Sequence, residues 1–126
     1  MESKKTIIAG IIALIVILGA LFYASKVSGG PGKLDAFAQC LEEKGAKFYG
    51  AFWCSHCQNQ KALFGNSKKY LPYIECSTPD GKGQTPVCAT AGIAGYPTWV
   101  FGDMSSTTGE LSLETLSERT SCELPA

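Results

Sequence analysis

A long apolar run near the start of the chain constrains its fold most strongly. Residues 7–24, IIAGIIALIVILGALFYA, contain no charged side chain. At about 1.5 Å of rise per residue, a helix of this length just crosses the hydrocarbon core of a bilayer. We therefore predict a single transmembrane anchor over residues 7–25, preceded by a cytoplasmic N-terminus over residues 1–6.

A cleaved signal peptide is the alternative interpretation of this run. Signal peptides have an apolar core of about 7 to 15 residues and a cleavage site with small residues at alternate positions. The run is longer than that, and the segment VSG at residues 27–29 matches such a site poorly. The sequence favours an uncleaved anchor and a flexible linker over residues 26–32, which contains VSGGPG.

The cysteine content indicates where the remaining domain, residues 33–126, is located. All six cysteines lie after the apolar run. Many thiols in a short chain are typical of an oxidising compartment, so we expect this domain on the extracytoplasmic, periplasmic side of the cell membrane. The net charge is zero and no run of Lys or Arg follows the anchor, which argues against a nucleic-acid partner.

The domain has the alternating pattern of an α/β protein. Apolar residues at helical spacing predict a helix ending at Gly45, and the aromatic run at residues 47–52 predicts a buried strand. The remaining predicted elements are a helix over residues 58–64, a strand over 73–76, a helix opening at Thr85-Pro86, a hairpin over 98–101 and 104–108, and a helix after Ser112. This order predicts a four-stranded mixed sheet flanked by helices.

Cys54 and Cys57 lie where the aromatic strand meets the next helix. The first turn of a helix offers unpaired N–H groups and a positive dipole end, which favour the thiolate of Cys54. His56 adds a positive charge when protonated. Cys57 follows one helical turn later, close enough to resolve a mixed disulfide at Cys54. The spacing predicts catalytic roles for all three residues in thiol-disulfide exchange.

Zinc binding and structural bracing are two other interpretations of this pair. Structural zinc sites usually combine two Cys-x-x-Cys pairs, whereas the next cysteines, Cys76 and Cys88, stand far apart. A purely structural Cys54–Cys57 bridge would close a tiny loop and constrain the unfolded chain little. We therefore favour exchange, which needs no metal and no bound cofactor.

Three segments of the domain resemble thioredoxin-like domains, in particular the domain fused to or paired with bacterial homologues of vitamin K epoxide reductase. They are FYGAFWCSHCQNQKALFG, YIEC and AGIAGYPTW. The resemblance covers most of residues 34–122. It implies a thioredoxin fold, Cys54 and Cys57 as the redox-active pair, and reoxidation by a quinone-linked membrane protein of the vitamin K epoxide reductase type.

The resemblance also implies a proline that faces the redox pair, and this proline maps onto Pro97. We predict a cis peptide bond before it, a state that proline adopts at modest cost. The loop leaves the backbone of Tyr96 free to pair with an extended substrate peptide beside Cys54. Trp53, directly before Cys54, is assigned to substrate contact with them.

Two positions depart from the family pattern. Related domains often have proline where Ser55 stands, and many cytoplasmic thioredoxins have a buried acid at the position of Phe48, which argues against a reductase of that kind. Strongly oxidising members of the fold also have His before the second cysteine, so we expect disulfide donation to cysteine-containing exported proteins. A reductase or isomerase on the same fold and a non-catalytic, disulfide-braced binding module are the alternatives.

The other four cysteines allow three pairings. Cys76 ends a predicted strand, Cys88 begins the next helix, and related domains commonly carry both, so we expect a bridge between them. Cys40 and Cys122 would then tie the ends of the domain together. We expect both bridges to be structural; electron relay through Cys76–Cys88 is the functional alternative.

Overall fold

The computed structural model describes residues 2–27 and 30–126 and divides into two units, Met1–Gly30 and Pro31–Ala126. The first unit contains helix α1, Glu2–Val27. Its segment Ser3–Ala24 has a mean hydropathy of 2.8, and none of it is buried, so the helix is long and apolar enough to cross a membrane. The predicted N-terminal segment and linker fall partly on residues 1, 28 and 29, which lie outside the described residues.

The second unit is built on one four-stranded sheet. Its helices are α2 (Asp35–Glu43), α3 (Ser55–Ala62), α4 (Pro86–Thr90) and α5 (Leu113–Thr120), with a 3-10 helix at Gly65–Tyr70, and its strands are β1 (Lys47–Gly50), β2 (Tyr73–Glu75), β3 (Thr98–Val100) and β4 (Ser106–Thr108). The strand order is β2-β1-β3-β4. Strand β1 runs parallel to β2 and antiparallel to β3, which pairs antiparallel with β4. The predicted thioredoxin-like fold, a mixed sheet with flanking helices, is confirmed.

The core lies against the central strand β1. Phe48 of β1 stacks on Trp99 of β3, with ring centroids 4.9 Å apart, and both side chains are fully buried. Helix α2 buries the face formed by Phe37, Ala38 and Leu41, as its helical spacing predicts. Burying each large apolar side chain contributes about 1.5 to 3 kcal/mol to folding, so this packing fixes the strand that leads into Cys54.

Several element boundaries differ from the prediction for local reasons. Strand β1 ends at Gly50, because the chain then turns and the Cys54 N–H donates to the Ala51 carbonyl at 3.0 Å. The 3-10 helix after Gly65 was not predicted. Strand β4 begins two residues later than predicted, because Met104 has a φ of 67° within the turn.

Two disulfides brace the second unit. One joins Cys40 in α2 to Cys122, at a sequence separation of 82. The other joins Cys76 to Cys88 in α4, at a separation of 12, and encloses the polar loop between β2 and α4. These are the two pairs that the sequence predicted.

Candidate active site

Cys54 and Cys57 are both buried, and only Cys54 keeps some exposed surface. Cys54 is the N-cap residue of α3 and is 8% exposed, whereas Cys57, one turn into the helix, is 0% exposed. Both are free thiols. Of the two residues, only Cys54 keeps surface that a partner molecule could contact.

The start of α3 leaves backbone donors available to a negative charge. The N-cap side chain makes no capping hydrogen bond. Because the first N–H groups of a helix have no partner within the helix, they and the helix dipole favour an anion at this end. The predicted placement of Cys54 at a helix start is confirmed.

The loop before β3 lies beside Cys54. The Tyr96-Pro97 peptide bond is cis, as predicted, and Pro97 is fully buried. The Cys54 thiol donates to the Tyr96 carbonyl, with 3.7 Å between sulfur and oxygen. Trp53 is 52% exposed and contacts the Tyr96 ring edge to face at 6.0 Å. The structure thus brings together the four residues to which the sequence assigned attack and substrate contact.

His56 is paired with a carboxylate that the sequence analysis missed. Its Nδ1 atom lies 2.6 Å from Oε1 of Glu110, which also accepts a hydrogen bond from Asn59 at 3.2 Å. The hydrogen bond with His56 lowers the pKa of Glu110. His56 therefore contacts Glu110. The carboxylate balances part of the positive charge that protonated His56 was predicted to place near Cys54. Glu110 lies 54 residues away, in the connection to α5, so no local pattern could have revealed it.

The surroundings of Cys57 contain further residues that the sequence analysis did not select. Burial is the main cause that raises the pKa of Cys57 to about 12, and a backbone hydrogen bond with Ala51 and the charge of Lys61 oppose the rise. Lys61 lies four residues after Cys57 in α3, a spacing that places both on one helix face and could have identified it. Lys61 also contacts β2, because its Nζ atom lies over the ring of Tyr73, whose hydroxyl donates a hydrogen bond to Glu75.

Phe48 and Ser55, the two positions that depart from the pattern of thioredoxin-like domains, lie in different environments. Phe48 packs in the core against Trp99, so an aromatic ring occupies the position where many thioredoxins carry an acid. Ser55 is exposed in the first turn of α3. Among residues 2–27 and 30–126, the structure shows no group of three or more His, Cys, Asp or Glu side chains that could hold a metal ion.

Two free thiols at a helix start, one of them with exposed surface next to the Tyr96-Pro97 loop, suit exchange with an outside partner better than bracing. Fold and site together are those of a thioredoxin-like domain with a Cys-x-x-Cys pair at the start of a helix. The chain is 48% identical over 94 residues, 71% of its own length, to the protein named thiol-disulfide oxidoreductase LTO1 of Arabidopsis thaliana. That name agrees with the predicted enzyme class. The chain spans about a quarter (24%) of this relative's length, and no family model matches the chain.

Proposed function

We propose that the chain is a membrane-anchored oxidoreductase that donates the Cys54–Cys57 disulfide to cysteine-containing exported proteins on the extracytoplasmic side of the cell membrane. One observation carries the proposal. The sulfur of Cys54 lies at a helix start, 3.7 Å from the Tyr96 carbonyl, with the free thiol of the fully buried Cys57 one turn later.

The roles in the reaction follow from the positions of the two cysteines, with Cys54 at the helix start and Cys57 fully buried one turn later. A substrate thiolate attacks Sγ of Cys54 in the oxidised pair, a bond forms between substrate and Cys54, and Cys57 leaves as a thiolate that then takes up a proton. A second substrate thiolate attacks the substrate sulfur of this mixed disulfide and releases Cys54 as a thiolate. Two electrons pass from the substrate thiols to the pair, and the N–H groups at the start of α3 stabilise the departing Cys54 thiolate.

The loop at Tyr96-Pro97 and the exposed ring of Trp53 form the proposed substrate contact. The carbonyl of Tyr96 points at the Cys54 sulfur, so a peptide that pairs with this backbone would present its own cysteine to Cys54. Phe52 and Trp53 are 49% and 52% exposed and supply apolar contact area beside the sulfur. Such a surface suits extended, unfolded segments of many sequences.

Two features support donation over reduction. Stabilising the Cys54 thiolate favours the reduced pair, which makes the disulfide a stronger oxidant. The two bracing disulfides, Cys40–Cys122 and Cys76–Cys88, are typical of an oxidising compartment, where exported proteins acquire disulfides.

After donation the reduced pair must lose two electrons. We propose a quinone-linked membrane protein of the vitamin K epoxide reductase type as the acceptor, on the strength of the family resemblance. Helix α1 is long and apolar enough to keep the domain at the membrane, and tethering raises the effective concentration of two proteins there. Blocking quinone reduction in cells should shift Cys54 and Cys57 to the free thiol form.

Trapping of substrates tests the function directly. Without Cys57 the mixed disulfide cannot be resolved from within the enzyme, so Cys57→Ala should accumulate adducts on Cys54 that run as slow bands on non-reducing gels. The double variant Cys54→Ala/Cys57→Ala is the matched control and should show none. A Cys57→Ala chain without adducts in cells would exclude the proposed exchange.

The reduction potential decides the direction. Equilibration with glutathione buffers, read by alkylation of the free thiols, should place the pair nearer to the value of about −120 mV found in strong oxidants than to about −270 mV found in thioredoxin. A value near the lower figure would favour a reductase.

A further inference from the structure

A cluster of three polar side chains lies behind Cys57. Nζ of Lys61 stands 3.4 Å above the centre of the Tyr73 ring. The Tyr73 hydroxyl donates to Oε2 of Glu75 at 2.8 Å. The other oxygen of Glu75 accepts from the backbone N–H groups of Phe52 and Ser77, at 3.2 and 2.9 Å. Backbone N–H groups therefore hold the Glu75 carboxylate in place, and the carboxylate orients Tyr73 through its hydroxyl. The ammonium group of Lys61 then packs on the Tyr73 ring.

Gly50 brings this cluster close to the buried sulfur. A Cβ atom at Gly50 would lie 2.8 Å from Cε2 of Tyr73 and 2.9 Å from Sγ of Cys57. The ring edge and the sulfur thus flank the same point above β1, which only a glycine leaves open. Lys61, one turn after Cys57 on α3, approaches the same ring from above its face.

The exchange reaction requires a charge at this buried place. Cys57 must leave as a thiolate when the disulfide opens and must attack as a thiolate when it closes. Its side chain is fully buried, and an uncompensated charge in such a place is costly. Burial raises the pKa of Cys57, whereas the charge of Lys61 acts to lower it. Strand β1 contains no carboxylate, and Phe48 stands where many thioredoxins carry a buried acid.

We propose that Lys61, held over the Tyr73 ring and balanced by Glu75, stabilises the Cys57 thiolate while the Cys54–Cys57 disulfide opens and closes. This inference rests on the proposed function, since it concerns a step of the same exchange. Lys61 is a positioning residue that acts through its charge. The bond between Cys54 and Cys57 breaks, its electron pair stays on the Cys57 sulfur, and the nearby ammonium group offsets the new negative charge until a proton arrives.

Other charged or titratable groups face this site from three elements. Helix α3 contributes Cys54, β2 contributes Tyr73 and Glu75, and the 3-10 helix contributes Lys68. Burial lowers the pKa of Lys61, while Glu75 and Cys57 act to raise it. Glu75 thus keeps the lysine charged, and Lys68 repels it.

The test compares the full chain, purified in detergent, with Lys61→Met, Lys61→Arg and Lys44→Met. Lys44, the exposed C-cap residue of α2, is not among the groups that face this site, and its replacement removes the same charge. The first readout is the rate at which dithiothreitol opens the disulfide, followed by tryptophan fluorescence. The second is the pH profile of glutathione release from a mixed disulfide at Cys54, which reports the ionisation of Cys57. Melting curves verify folding, and Lys61→Gln replaces Lys61→Met if that variant does not fold.

We expect Lys61→Met to slow glutathione release at least about threefold at neutral pH, since each unit gained in the pKa of the attacking thiol costs about tenfold in thiolate and returns about threefold in nucleophilicity. Opening of the disulfide should slow as well, because Cys57 is the leaving group there and a thiol of higher pKa leaves more slowly. The release profile of Lys61→Met should shift to higher pH, whereas Lys61→Arg and Lys44→Met should retain wild-type rates and profiles. Wild-type behaviour of Lys61→Met, or equal loss in Lys61→Arg, overturns the inference. Loss of exchange in the wild-type chain itself would instead refute the proposed function.

Discussion

The two bracing disulfides should contribute unequal amounts of stability, because they close loops of very different length. Cys40–Cys122 spans 82 residues and Cys76–Cys88 spans 12. In the chain-entropy model, closing these loops in the unfolded state is worth about 4.5 and about 2.8 kcal/mol, respectively, at 25 °C. Replacing each pair by alanine should therefore lower the free energy of unfolding by these amounts, with the larger loss for Cys40→Ala/Cys122→Ala.

Urea unfolding of the full chain in detergent measures both losses. The chain has two tryptophans, and both lie in the second unit, so their fluorescence reports this unit and not α1. Trp99 is fully buried and reports the core. With a urea dependence of about 1 to 3 kcal/mol per molar, the loss of Cys40–Cys122 should move the midpoint down by at least about 1.5 M.

The ordering of the two variants is the decisive result. Both remove two sulfurs and both add two alanines, so they serve as controls for each other. If loss of Cys76–Cys88 costs as much as loss of Cys40–Cys122 or more, loop length is not the origin of the stabilisation, and the reasoning from chain entropy fails.

Three further predictions follow from side chains around the site. In the reduced protein at neutral pH, iodoacetamide should label Cys54 and spare Cys57, whose pKa burial raises to about 12; mass spectrometry showing equal labelling would contradict this. Gln60→Leu should cost about 2 kcal/mol or more in urea unfolding, because it leaves the buried indole N–H of Trp99 and a backbone N–H without their shared acceptor; a loss below 1 kcal/mol would contradict this. The hydrogen bond from His56 lowers the pKa of Glu110 in the folded protein. This hydrogen bond therefore stabilises the fold fully above pH 4.5, the ordinary pKa of the carboxyl, and the stabilisation is lost as the pH falls through the lowered pKa. His56→Ala should raise the carboxyl midpoint in an NMR titration, and an unchanged midpoint would disprove the coupling.

Local sequence patterns predicted the parts of the site that depend on neighbours in the chain. The N-cap position of Cys54 follows from an aromatic strand meeting good helix formers, and the position of Cys57 one turn later follows from helical spacing. Thr85 before Pro86 and Ser112 before α5 were likewise placed as helix starts. These features arise from backbone preferences over a few residues.

Contacts between distant segments were not predictable in the same way. The acid that pairs with His56 lies beyond β4, and the group behind Cys57 joins α3 to β2. These residues lie close together because of the strand order β2-β1-β3-β4. A single sequence does not reveal which side chains this order brings into contact. The family resemblance supplied Pro97, but it did not supply Glu110 or Lys61.

The interior position of β1 has a consequence for the lifetime of the site. This strand is paired with β2 on one side and β3 on the other, and its last residue lies four positions before Cys54. An interior strand does not fray at a sheet edge, so its amides should exchange with deuterium only when the whole sheet opens. Catalytic geometry and fold should then disappear together on heating, and the inactivation curve should superimpose on the melting curve.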